Sequence, residues 1–203
     1  MVIVIDNDTF LAKYSTMKSI PLPITLKFLY TTICLMLFIL SNAQTSLELD
    51  RKNGFLDFKF GTPPSAYAGK IKKLNLESVV NGSIRYEVTD AAYKRVLGYD
   101  VSKIDLTFSD NKLWAITIDF IHEDVDKAYS FLDYKLKNLF GQPIGTIRPT
   151  DGECCYYPTG HRWKGEKTTL DLVKTQMKQT EKYYACIYYI NNELEKRAIN
   201  KEF

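Results

Sequence analysis

The sequence predicts an α+β fold, a two-layer sandwich. Its curved, mostly antiparallel sheet of five to seven strands carries one long amphipathic helix across one face, with a short helix near the N-terminus. Alternation of apolar and polar residues dominates the chain, and hairpin turns join the alternating segments. Residues 125–140 instead carry apolar residues at helical spacing, and such a stripe needs an apolar sheet face to lie on. A closed β-barrel is the alternative, but it leaves the helix stripe without a partner.

Residues 17–43 have the pattern of an export signal that is removed. An apolar run extends from Ile24 to Leu40, and small residues then precede a predicted cleavage between Ala43 and Gln44. The uncharged part of this run, 13 residues long, is short for a membrane span. A retained anchor is the alternative. We therefore expect the protein to be exported to the periplasm or the extracellular space.

The predicted organisation has five parts: 1–16, which reflect a start assigned too early; 17–43, the cleaved signal; 44–52, a flexible leader; 53–190, a single α+β domain; and 191–203, a charged tail. Residues 1–43 hold three lysines and two aspartates, so 24 basic and 22 acidic residues remain in the exported chain. A near-neutral, well-mixed charge gives no support to nucleic-acid binding. The 160 remaining residues suffice for one hydrophobic core.

The domain is predicted to open with a strand, because Leu56, Phe58 and Phe60 alternate with polar residues. The Thr62-Pro63 pair then favours the start of a short helix, which we expect to reach about Ile71. Threonine can accept a hydrogen bond from the first free N–H groups, and proline is tolerated in the first turn of a helix.

Two hairpins follow. Asn81-Gly82 is a strong two-residue turn signal. The second hairpin lies within residues 101–121, where a three-residue loop, Ser109-Asp110-Asn111, sets Leu106 opposite Trp114. A two-residue loop would leave Trp114 on the wrong side of the sheet, so we predict the longer loop.

The long helix is predicted from Val125 to Phe140, with Asp124 as its N-cap and Gly141 at its end. Three further strands are predicted, near 155–163, 167–174 and 183–190. The last has no polar alternation, which is typical of a central strand covered on both faces.

Several short motifs resemble a class of small exported bacterial α+β proteins of uncharacterised function. They are the opening Lys59-Phe60-Gly61-Thr62-Pro63, the helix ending Phe140-Gly141-Gln142-Pro143, and the tryptophan strand with Trp163-Lys164-Gly165. The resemblance covers about residues 54–190. It implies an exported bacterial α+β domain and assigns no catalytic residue to this chain.

Three cysteines remain after signal removal: Cys154, Cys155 and Cys186. Export favours an oxidising compartment, so a disulfide from Cys154 or Cys155 to Cys186 is expected. An adjacent Cys154–Cys155 bond and three buried thiols are the alternatives. A zinc site with His161 is disfavoured, because adjacent side chains on an extended chain point to opposite faces. We predict neither metal nor cofactor.

The chain contains no sequence motif of a nucleophilic, phosphate-binding or metal-dependent enzyme. His122 is expected in a solvated loop and His161 on a strand. We assign no catalytic residue and favour a non-enzymatic protein. A thiol-dependent or hydrolytic enzyme using Cys154, Cys155 and His161 is the alternative.

Aromatic residues supply the candidate ligand-binding set. Twelve tyrosines lie after the signal, and rigid amphipathic rings suit interfaces, although strands also favour tyrosine for packing. In each adjacent pair one ring must face away from the helix-covered core. We predict that the outward rings cluster with the strand tryptophan. The candidate set is Tyr156, Tyr157, Trp163, Tyr188 and Tyr189.

The predicted function is non-enzymatic binding of an envelope protein or a small ligand through the open sheet face. A structural envelope component is a further alternative. No nucleic acid is expected as a partner, and membrane contact is expected only through the signal during export.

Overall fold

The computed structural model describes residues 28–33, 47–74, 82–120, 123–147, 156–176 and 183–200. The chain divides into two compact units, Met1–Ile39 and Leu40–Phe203. In the first unit, residues 28–33 form a helix, α1, and most of the predicted signal lies outside the described residues. Within the described ranges, no helix combines the length and apolar character needed to cross a membrane.

The second unit is an α+β domain built on a large antiparallel sheet, as the sequence predicts. Its nine strands are β3 Ile71–Lys73, β4 Ile84–Val88, β5 Arg95–Val96, β6 Tyr99–Ser109, β7 Lys112–Phe120, β8 Gly145–Ile147, β9 Tyr156–Lys164, β10 Thr168–Gln176 and β11 Tyr183–Asn191. The spatial order is β3-β4-β6-β7-β11-β10-β9-β8, and β5 pairs with the start of β6. The expected five to seven strands were too few, because β3, β5 and β8 span only two or three residues and show no alternation.

Helix α3, Val125–Phe140, packs on one face of this sheet, which we call the core face. Asp124 precedes it and accepts a hydrogen bond from the Lys127 N–H at 3.0 Å. The helix contacts β10 and β11. Four of its side chains, at spacings that keep them on one side, are buried: Ala128, Leu132, Leu136 and Phe140.

The N-terminal part of the domain packs into the same core. Residues 47–52, within the predicted leader, form a helix, α2, whose Leu49 is buried. The predicted opening strand is instead a tight hairpin of β1 (Gly54–Phe55) and β2 (Phe58–Lys59), so Leu56 points into solvent at its turn. The short helix is a single 3₁₀ turn, Pro64–Tyr67, and the chain is already a strand at Ile71.

The β6–β7 hairpin differs from the prediction. Its loop has two residues, Asp110 and Asn111, both with positive φ, and Ser109 pairs directly with Lys112. The pairing register shifts between Thr107 and Phe108, so that Trp114 is the extra residue of a β-bulge. Because of the bulge, the apolar residues further along β7 point to the core face, and Trp114 lies on the opposite side of the sheet.

The second face of the sheet, the outer face, carries helix α4, Asn192–Ile199, where the sequence predicts a charged tail. Asn191 caps it by accepting a hydrogen bond from the Leu194 N–H at 3.0 Å. Ala198 packs against Trp114 and Ala115, which explains why Trp114 is buried there. The first hairpin's turn residue Asn81 lies outside the described residues.

Candidate ligand-binding face

The outer face has a polar centre, whereas the core face is apolar. Alternation along β4, β6, β7, β11, β10 and β9 brings nine side chains to this centre. They are Arg85, Lys103, Asp105, Thr117, Asp119, Arg162, Asp171, Cys186 and Tyr188. We call this set the polar array.

Tyr188 lies in the middle of the polar array. It pairs with Thr117 on β7 and with Asp171 on β10, and its side chain is 37% exposed. The Asp171 carboxylate accepts two hydrogen bonds from Arg162, at 2.7 Å from Nε and 2.6 Å from Nη2. This bond to Asp171 raises the pKa of Arg162. The forked geometry fixes the orientation of the Arg162 guanidinium on this face.

Asp105 is the most deeply buried charge of the polar array, with 3% of its side chain exposed. Its Oδ2 forms ion pairs with Arg85 and with Lys103, and the distance to Lys103 Nζ is 2.8 Å. Its Oδ1 is buried and accepts no hydrogen bond. A buried acceptor without a hydrogen-bond donor is costly.

Asp119 lies diagonally across from Asp105 on the neighbouring strand. Its Oδ1 accepts a hydrogen bond from the Sγ of Cys186 at 3.0 Å. Burial raises the pKa of the Asp119 carboxyl, and the nearby negative charge of Asp105 acts in the same direction. Burial likewise raises the pKa of Glu195 on α4, at the edge of this face.

Two members of the predicted aromatic set do not belong to this face, which corrects the predicted cluster. Trp163 and Tyr189 are 1% and 0% exposed and pair with Leu170, which faces the core. Trp163 Nε1 donates to the Gly141 carbonyl at 2.8 Å, and the Tyr189 hydroxyl donates to the Leu49 carbonyl at 2.7 Å. The side chains of Tyr156 and Tyr157 lie outside the described residues, as do Cys154, Cys155 and His122.

In the described part of the chain Cys186 is the one cysteine, and no disulfide is present there. It is buried and acts as a hydrogen-bond donor to Asp119. Because both of its predicted partners fall outside the description, the disulfide stays a prediction.

His161 lies on the core-facing side of β9 and contacts helix α3. Its Nδ1 is 2.6 Å from Asp133 Oδ1, and the other oxygen of that carboxylate accepts from Lys137 Nζ at 2.6 Å. The Tyr129 ring is 6.1 Å away, and burial raises the pKa of its hydroxyl to about 12. A carboxylate on Nδ1 orients an imidazole, which is one component of acid–base chemistry.

The sequence carried a weak signal for the polar array that the prediction did not use. Asp105, Asp119 and Asp171 each stand between two large apolar residues of a strand. Alternation marks such positions as outward-facing but does not reveal that they are buried. Within the described residues, no group of three or more histidine, cysteine or acidic side chains is arranged to hold a metal ion.

Comparison of the chain with protein-family models, with curated proteins and with solved structures gave no match.

Proposed function

We propose that this protein is an exported, non-enzymatic domain that binds an envelope protein or a small ligand on the outer face of its sheet. The observation that carries the proposal is the exposed ring of Tyr188 at the centre of the polar array. A rigid aromatic ring on the same face as a fixed guanidinium offers both an apolar contact and directed hydrogen bonds.

The accessibility of the two faces and an exposed charge also favour binding on the outer face. The core face is filled by α2, α3 and the β1–β2 hairpin, so a partner has no access to its aromatic rings. On the outer face, α4 packs at the end that carries Trp114 and Ala115. Arg162, on the same face as Tyr188, keeps 48% of its side chain exposed, which leaves a charged group available at the surface.

Site-specific photocrosslinking in envelope extracts tests the proposal. A photoreactive phenylalanine analogue replaces Tyr188 in one variant and Tyr134, an exposed tyrosine of α3, in the control. We expect a crosslinked species at position 188 that is absent at position 134. Native mass spectrometry of the purified protein tests for a small ligand, whose added mass should be lost in Tyr188→Ala. Equal crosslinking at both positions and no added mass would exclude binding on this face.

The export part of the proposal has its own test. Expression of the full chain with its own leader should yield an intact mass that begins at Gln44. A mass beginning at Met1 or Met17 would contradict removal of the signal.

A second candidate function is acid–base catalysis at His161, which the 2.6 Å contact to Asp133 favours. Turnover of ester and amide probe substrates should then fall at least tenfold in both His161→Gln and Asp133→Asn. No turnover by the wild-type protein, or turnover equal in the variants, removes this candidate.

A further inference from the structure

The turn between β9 and β10 binds a carboxylate of the chain's own N-terminal segment. Three successive backbone N–H groups donate to the Asp50 side chain at 2.7–3.0 Å. They belong to Glu166, Lys167 and Thr168, and the hydroxyl of the buried Thr168 donates to the same carboxylate at 2.8 Å. Successive N–H groups of a turn that point to one place form an anion-binding concavity. We call these four donors the carboxylate nest.

Contacts other than those of Asp50 hold the turn in this conformation. The N–H of Gly165 donates to the Thr168 carbonyl at 2.8 Å. From the other side, the N–H of Asn192 at the start of α4 donates to the Lys167 carbonyl at 2.9 Å. We therefore expect the donors of the carboxylate nest to keep their directions when Asp50 is absent. Such preorganisation lowers the cost of binding a ligand.

Position 165 leaves room for a bound carboxylate. A Cβ on Gly165 would lie 2.2 Å from Oδ1 of Asp50 and 2.6 Å from its Cγ. Any side chain at this position would therefore occupy the place of the carboxylate, and glycine keeps that place open.

A second group recognises the residue that precedes the aspartate. The Tyr189 hydroxyl donates to the Leu49 carbonyl at 2.7 Å, and the Leu49 side chain is buried in the core. The site therefore contacts three features of the segment: an apolar side chain, the carbonyl of that residue, and the carboxylate of the next residue. Side-chain pockets combined with hydrogen bonds to the main chain are typical of peptide recognition.

Helix α2 is attached to the domain in the way that a peptide ligand is. Among the residues of α2, all of which the structure describes, Leu49 is the one that is buried. The strands β1 to β11 all follow α2 in the chain, so its departure breaks no strand pairing. A helix of this length does not hold its conformation in isolation, so the contacts of the site order it.

We propose that the carboxylate nest and Tyr189 form a peptide-binding site that α2 occupies as a tethered ligand. The external ligand is a segment of a partner protein in which an apolar residue directly precedes an aspartate, because that pair reproduces the contacts of Leu49 and Asp50. No residue of the polar array takes part, so this site is additional to the one proposed above. A short tether gives α2 an effective concentration on the order of millimolar, so α2 restricts the site to partners at high local concentration.

Rescue of the full chain by a peptide added in trans tests the proposal. In the double variant Leu49→Ala, Asp50→Ala, the tethered ligand lacks both side chains that the site recognises. A synthetic peptide with the sequence of residues 44–53 should raise the melting temperature of this variant saturably. The same peptide with Asp50→Asn should require at least about tenfold more peptide for the same rise, because hydrogen bonds to a charged group are stronger.

A peptide with Glu48→Gln is the charge-matched control. Glu48 pairs with Arg51 of its own helix, so this peptide loses one charge but no contact with the carboxylate nest. It should act like the unsubstituted peptide. Adding Gly165→Ala to the double variant should abolish the rescue, because the new Cβ fills the place of the carboxylate, whereas Gly145→Ala should leave it unchanged.

Refolding keeps the test decisive if the double variant does not fold alone. Its recovery from urea with each peptide, followed by circular dichroism, then replaces the melting temperature. The proposal is overturned if the unsubstituted peptide gives no rescue. Equal effects of Asp50→Asn and Glu48→Gln in the peptide, or a rescue that persists with Gly165→Ala, would overturn it as well.

Discussion

The indole nitrogen of Trp163 donates a hydrogen bond to the carbonyl oxygen of Gly141 at 2.8 Å and so joins strand β9 to the end of helix α3. The last carbonyl groups of a helix have no partner within the helix, so a side chain from elsewhere must supply a donor. Two of the short motifs in the sequence, one at the helix end and one at the tryptophan strand, therefore meet in one contact.

Replacing this tryptophan tests the contact, and the chain offers a matched control. Trp163→Phe removes the donor, and we expect the free energy of unfolding to fall by about 1–3 kcal/mol more than in Trp114→Phe. The Nε1 of Trp114 is buried without a hydrogen-bond partner, so its loss costs no bond. Urea unfolding of both variants measures the difference. Equal losses would mean that the bond to Gly141 contributes nothing.

The carboxylate of Asp50 joins helix α2 to the turn between β9 and β10. Asp50 accepts hydrogen bonds from the backbone N–H groups of Glu166, Lys167 and Thr168 and from the Thr168 hydroxyl, at 2.7–3.0 Å. Asp50→Ala leaves these donors without their partner, and we expect a loss of about 3 kcal/mol in unfolding free energy. The exposed Asp100→Ala should cost under about 1 kcal/mol. Thermal denaturation compares them.

The close approach of the Asp50 side chain also requires a glycine at position 165. A Cβ at this position would lie 2.2 Å from Asp50 Oδ1, whereas a Cβ at Gly145 meets nothing within 4 Å. We expect Gly165→Ala to lower the melting temperature much more than Gly145→Ala. Because the clash is with the Asp50 side chain, Gly165→Ala should cost less in an Asp50→Ala background. If the losses from the two substitutions simply add, the clash at position 165 is not with the Asp50 side chain.

Tyr189, which is buried, and Tyr129, which is half-buried, should respond to alkaline pH. Burial raises the pKa of Tyr189 to about 12, and burial does the same for Tyr129. The folded state thus holds these protons after unfolded tyrosines have lost theirs near pH 10, so stability falls between about pH 10 and 12. Absorbance at the tyrosinate band should show a late step that shrinks in Tyr129→Phe and in Tyr189→Phe. Unchanged late steps would contradict the assignment.

The state of Cys186 can be read by alkylation and intact mass. Because its Sγ donates to Asp119 in the buried part of the sheet, we expect Cys186 to be alkylated after denaturation but not before. If the disulfide predicted from the sequence forms, alkylation of Cys186 will also require a reductant. Peptide mapping distinguishes the two results.

The sequence by itself determined the α+β class and the antiparallel sheet, because alternation and turn residues are local properties. The tertiary structure decided which face each strand residue occupies. The β-bulge at Trp114 places its ring on the side of the sheet opposite to the predicted one, because local alternation does not reveal an extra residue in a strand. It also decided that α2 is part of the core, since Asp50 and Thr168 are 118 residues apart in sequence. The burial of Asp105 and the half-burial of Asp119 depend likewise on neighbouring strands, which no local pattern specifies.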